Sequence, residues 1–349
     1  DTGYVFAGWR ASDDPEAPIV STASTYTTTV YDEPMRLYAT STAPFEGTGT
    51  AADPFKVKTL EDLKRIASFI NAGDDFDGVY FELTSDIDCA GDTAFIGIAT
   101  SSNTAFCGIF DGAGHTIANM DVVGGLFGHL GGLWKAEHAY VKNLKVSGTA
   151  RVGGDTPLKS GPVGLIAGYA YGSIENCEAS GSVESDAAAA AGGIVGELCG
   201  NKSIINCTAS VDVTSTASNT NSLYGVAGIV GETSYNTTVQ GCSYKGAVNA
   251  ARFRNTGGVV GVMSGSGKVL NCTAVSQIVG EQNVGGIVGL ANAGNSARIE
   301  SCAFEGSVTG TTAVGGILGY FAGNWNSTDS YVLHVTGNTA GSTQQGGTV

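Results

Sequence analysis

Eight cysteines, four histidines and a few recurring carboxylates are the residues of this chain best suited to chemistry. Cys177, Cys207, Cys242, Cys272 and Cys302 recur at intervals of 30, 35, 30 and 30 residues. Repeats laid down as parallel strands stack such a slot, with side chains ~4.8 Å apart and pointing the same way. A disulfide wants Cβ atoms ~3.8 Å apart and turned toward each other. Leu144 holds the slot one repeat earlier, and free cysteine packs as a small hydrophobe. The spacing therefore predicts a buried ladder of reduced thiols. Cys89, Cys107 and Cys199 lie off the ladder, and Cys89 reads as core. There is no CxxC and no histidine at ligand spacing, so neither metal nor cofactor is expected.

His115, His129, His138 and His334 are scattered and form no HExxH. His115 reads as a satisfied corner residue in FDGAGHTI. No nucleophile elbow and no phosphate loop is present. Asp86 and Asp88 suit calcium by type, but Asp bonding its own turn backbone is the preferred reading. Glu197 and Glu232 each follow a GIVG block directly. On adjacent coils they would stack roughly 5 Å apart, the carboxylate spacing of retaining glycosidases. The same slot continues as Val262, Leu290 and Tyr320, an apolar surface without a neighbouring Arg or Lys. That environment weighs against catalysis, and no catalytic residue is assigned.

Two alternating blocks organise the chain. One reads GLFG at 125–128, GLIA at 164–167, GIVG at 193–196 and 228–231, GVVG at 258–261, GIVG at 286–289 and GILG at 316–319. The other reads VKNLKVSG at 141–148, IENCEASG at 174–181, IINCTASV at 204–211, VQGCSYKG at 239–246, VLNCTAVS at 269–276 and IESCAFEG at 299–306. From each Cys onward alternate residues are small or apolar, the mark of a strand with one buried face. The residue before the Cys is Asn176, Asn206, Gly241, Asn271 or Ser301, and Asn and Gly accept a left-handed corner. A period near thirty with short strands and corners is a solenoid coil. Leucine-rich repeats are excluded by leucine poverty, and propeller blades are longer.

Composition agrees. The 53 glycines suit tight corners, while 42% hydrophobic and 14% charged residues exclude disorder. A net charge of −15 disfavours nucleic acid and anionic lipid as partners. No apolar run is long enough to span a bilayer, so membrane insertion is not expected. The chain starts and stops within its pattern and reads as a monomeric fragment of something longer.

The GGIVG and IxNCxAxGxV blocks resemble the GLUG repeat of bacterial surface proteins. The preceding helix, strand, TSDIDCAG at 84–91 and FDGAGHTIANM at 110–120 are similar to the way such solenoids begin. The resemblance covers roughly residues 52–349. It implies an all-β, right-handed parallel β-helix on secreted or surface-anchored proteins, including adhesins and the non-catalytic region of IgA-specific metalloproteases. An amphipathic helix at about 59–72 would cover the open end, with Thr59 and Asp62 as a capping box and Leu60, Leu63, Ile66, Ala67 and Ile70 as its apolar stripe. GYVFAGW at 3–9 and MRLYAT at 35–40 resemble half of a Listeria–Bacteroides repeat.

Residues 1–48 are therefore expected to be a partial small β module, 46–53 a linker and 52–349 the solenoid, with about eight coils over 76–340. The functional expectation is a non-catalytic adhesin or stalk at the bacterial surface, contacting a host glycan or surface glycoprotein. A polysaccharide lyase or glycoside hydrolase on the same scaffold is the alternative. The long insertion from Ser215 to Tyr224 is the first place to look for a ligand.

Overall fold

The computed structural model describes residues 5–14, 17–25, 36–42, 44–101, 103–132, 138–219, 223–293, 296–322 and 333–347. Three parallel sheets of ten, thirteen and seven strands run through about eight turns of a β-solenoid. Successive coils add strands to these sheets in parallel register, so equivalent residues stack. In the ten-stranded sheet Phe81, Phe110, Val141, Ile174, Ile204, Val239, Val269 and Ile299 are successive partners, all essentially inaccessible. In the seven-stranded sheet the row is Phe127, Ala167, Val195, Val230, Val260, Val288 and Leu318. These continuous apolar rows are the core, and their burial is the main favourable term.

The corners form as their residue types require. Asn143, Asn176, Asn206, Gly241, Asn271, Ser301 and Gly337 all adopt φ between 52° and 65°. Asn176 donates its side-chain amide to Asn143 Oδ1 at 3.4 Å, and Asn143 donates to Asp111 Oδ1 at 3.0 Å. The first glycine of the GIVG block serves a different need. A Cβ on Gly258 would lie 2.1 Å from Gly286 O in the next coil, and one on Gly228 2.4 Å from Gly258 O. Gly228 and Gly286 also leave room for the rings of Tyr244 and Phe304, which occupy a slot that holds alanine in neighbouring coils.

The thiol ladder is in place. All eight cysteines are free and buried. In the five-membered stack each Sγ donates to the carbonyl two residues earlier, at 3.2–3.4 Å. That carbonyl also accepts the backbone N–H of the corner residue in the preceding coil, so the thiol adds a second, weaker bond to it. Hydrogen bonding with Cys207, together with burial, pushes the Cys242 thiol up to about 12, and Cys207, Cys272 and Cys302 are raised likewise, so these four sulfurs are held protonated and unreactive.

The helix spans Leu60–Asn71 with Thr59 as N-cap, a complete capping box with Asp62, and Leu63, Ile66 and Ile70 buried. It covers the first coil together with a cluster of rings from Phe45, Phe55, Phe69, Phe76 and Phe81, whose centroids lie 5.0–6.5 Å apart. This overturns the linker reading of 46–53. Glu46 pairs antiparallel with Lys56, Thr48 and Thr50 bond Asp53, and the adjoining Phe45 is buried in the core. The stretch is small and polar because it folds back tightly over the cap. Before it, Val5–Arg10, Ile19–Ser21 and Tyr38–Thr42 form a three-stranded antiparallel sheet.

Candidate functional site: a carboxyl pair beside two clefts

One slot of the seven-stranded sheet lies outside the apolar core rows. Register pairs His129 with Tyr169, Tyr169 with Glu197, Glu197 with Glu232, Glu232 with Val262, Val262 with Leu290 and Leu290 with Tyr320. The two carboxylates predicted to stack do so. The sequence reading is wrong about their surroundings, because Val262 and Leu290 are fully covered and Glu232 is only 8% exposed. Only Tyr320, at the far end, is an exposed surface residue.

Burial sets the electrostatics. Removal from water raises the Glu197 carboxyl above its usual range. Glu232 is pushed up to about 8, first by burial and then by the charge of Glu197. Glu197 Oε1 accepts from the Cys199 thiol at 3.0 Å, a weak donor. Among the described residues Glu232 has no hydrogen-bond partner, and no Lys or Arg pairs with either carboxyl.

His129 and Tyr169 continue the row toward the helix-capped end. Their rings stack at 4.8 Å with 17° between planes. His129 Nδ1 lies 3.2 Å from Ala99 O; a carbonyl only accepts, so Nδ1 donates and Nε2 is left as an acceptor. Burial holds the imidazole below its ordinary value and therefore neutral at pH 7. Burial and then the charge of Glu197 push the Tyr169 hydroxyl up to about 12. Both rings line two clefts. One, of about 660 Å³, also takes in Asp74, Asn103 and Tyr171. The other, of about 420 Å³, is walled by Leu158, Pro162, Ala189 and Tyr224.

The remaining candidates are used up locally. Asp86 accepts from Thr116 N at 2.9 Å and faces His115 Nδ1 at 3.1 Å. Asp88 accepts from Asn119 Nδ2 at 2.8 Å and Ala90 N at 2.9 Å. Only the Asp88–Ala90 bond is a contact within the turn; the other three reach the next coil, and one of them gives His115 its partner. Among the described residues no three His, Cys, Asp or Glu side chains converge on a point. Residues 220–222 of the insertion lie outside the described residues; Tyr224, at its end, lines the smaller cleft.

Tyr169 is the residue that sequence reasoning missed. The letters GLIA at 164–167 suggest that Gly168 takes the slot of Glu197, but Ala167 pairs with Val195 and the slot falls on Tyr169. The repeat in that coil is LIAG, one residue later, with Leu165 where other coils carry the first glycine.

Comparison with known proteins agrees with this geometry. The GLUG motif matches residues 162–184. A halomucin of Haloquadratum walsbyi is 30% identical over 218 residues, 56% of this chain and 2% of its own length. A solved structure named IgA1 Protease superposes with a TM-score of 0.54 at 13% identity, over 86% of this chain and 22% of that one. Another, given as a candidate immunoglobulin A1 protease from Bacteroides ovatus, covers 68% of this chain and 80% of that one at 24% identity and a TM-score of 0.49. The chain is a parallel β-solenoid that carries a GLUG motif at residues 162–184, and it spans a small part of the halomucin it matches.

Proposed function

We propose that the chain is a non-catalytic rod segment of an extracellular or surface-borne protein and that it acts as an adhesin, contacting a glycan or a surface glycoprotein. The observation that carries this reading is the uninterrupted register of the apolar rows. Eight successive partners from Phe81 to Ile299 stay in one line, so the coils form a single stiff body. Its outward strand positions carry short polar side chains, such as Glu178, Ser180 and Ser182 followed by Thr208, Ser210 and Asp212. Such a surface is soluble, and it is wide enough to present a contact face. The halomucin likeness supports a place outside the cell.

The carboxyl pair favours one second reading, a carbohydrate-active enzyme. A raised Glu232 beside Glu197 is suited to donate a proton. Against it, both side chains stem from parallel strands and point the same way, rather than flanking a bond from opposite sides. A screen of the fragment against arrayed glycans and glycoproteins tests the adhesive reading. Selective retention of some glycans supports it, and an array with no retained ligand contradicts it.

A further inference from the structure

We propose that the row from His129 to Glu232, with the cleft beside Tyr224, is a binding site for an uncharged, hydroxyl-rich saccharide. The proposal rests on the adhesive reading and gives it an address. Four coils in succession place a polar group in one slot: His129, Tyr169, Glu197 and Glu232. Consecutive groups are set by the coil spacing of ~4.8 Å, a regular comb along the solenoid axis. The comb is short of partners. Glu232 is more than nine-tenths buried and unbonded, Glu197 receives only a thiol, and the Tyr169 hydroxyl and His129 Nε2 have no partner among the described residues. None of these unbonded atoms is sealed from solvent, so a ligand's hydroxyl groups can reach them and supply bonds that the protein does not.

The chemistry of the comb selects the ligand. The imidazole is neutral, and the carboxyl pair holds a proton at pH 7. The row therefore offers acceptors, a phenol and a carboxylic acid donor, with no cation to hold an acidic sugar. Hydroxyl groups both donate and accept, which matches this mixture. The cleft walls of Leu158, Pro162, Ala189 and Tyr224 meet the apolar faces of a sugar ring. An organic cation fits less well, because the His129 and Tyr169 faces stack on each other instead of standing open as a cage.

The test is titration calorimetry of the whole chain with neutral hexose and N-acetylhexosamine oligosaccharides, the matching uronate oligosaccharides, and butylammonium. Tyr169→Ala, Glu197→Gln and, as a control at the far end of the row, Tyr320→Ala are measured beside wild type, with circular dichroism to verify folding. The expected result is binding of at least one neutral oligosaccharide, weakened tenfold or more by Tyr169→Ala and by Glu197→Gln and unchanged by Tyr320→Ala. Binding of uronates or butylammonium in place of neutral sugars overturns the proposal, as does no binding of any probe. If a glycan binds equally well to wild type and Tyr169→Ala, this address is wrong while the adhesive reading stands. Should Tyr169→Ala fail to fold, Tyr169→Phe and Glu197→Gln decide, since both keep the bulk of the native side chain.

Discussion

Asn338 stands in the slot that Cys302 fills one coil earlier, and its amide takes over the thiol's task. Cys302 N donates to Asn338 Oδ1 at 2.7 Å, and Asn338 Nδ2 donates to Ile299 O at 2.9 Å. Cys302 Sγ makes the corresponding contacts with Val269 O and Glu300 O at 3.5 and 3.4 Å. The slot therefore accepts a small donor beside these carbonyls, cysteine in five coils and asparagine in the next, as well as the apolar Leu144 before them.

The thiols should then behave as packing groups. An alkylating reagent without reductant is expected to leave the five ladder cysteines unlabelled in the folded protein and to label all eight cysteines after denaturation. A pair resistant to alkylation until reduced would mean a disulfide. Cys242→Ser keeps a donor near Gln240 O but loses sulfur contacts in a fully buried stack. A cost of about 1–2 kcal/mol is expected in chemical denaturation.

Gly258→Ala should be far more damaging than its size suggests. The new methyl would lie 2.1 Å from Gly286 O and 3.0 Å from Ala274 Cβ, so two coils must separate. Overpacking of this kind costs about 1–3 kcal/mol or more. Gly341→Ala, which meets nothing within 4 Å, is the control and should change the melting temperature little.

Glu232 makes stability depend on pH in a stated direction. Its folded value of about 8 lies above the ordinary 4.5, so between these limits the folded state holds a proton that the unfolded state has released. Its contribution is fully present below the unfolded value and is lost as pH rises through the folded one. Denaturation midpoints measured from pH 4.5 to 9 should fall for wild type and fall less for Glu232→Gln. Equal slopes would show that the carboxyl is not buried as described.

Thr233, in the interior row between Leu198 and Met263, is 1% exposed, and its hydroxyl has no partner among the described residues. Thr233→Val removes that uncompensated group at nearly constant shape. A gain of about 1 kcal/mol is expected. Destabilisation instead would point to an internal water bonded to the hydroxyl.

Much of the solenoid was legible because its signals are local and repeated. Asn176, Asn206 and Asn271 announce corners, the cysteines give the register, and Thr59 with Asp62 marks the helix start. The candidate site was half legible. Glu197 and Glu232 follow identical blocks, so their stacking was readable. Their burial was not, because a repeat marks a position on a strand and not how closely its outer face is covered. Tyr169 was hidden by a register slip of one residue, where Gly164 mimics the first glycine of the block. Phe45 was hidden differently, as one aromatic beside a polar stretch whose packing depends on the rings of Phe55, Phe69 and Phe81 from three other segments.

The most direct test of the non-catalytic account is product analysis by mass spectrometry after long incubation of the chain with the oligosaccharides it retains. The account predicts ligands recovered at unchanged mass, by wild type and by the Glu197→Gln, Glu232→Gln double variant alike. Shortened products made by wild type and absent with the double variant would contradict it and make the carboxyl pair a catalytic dyad.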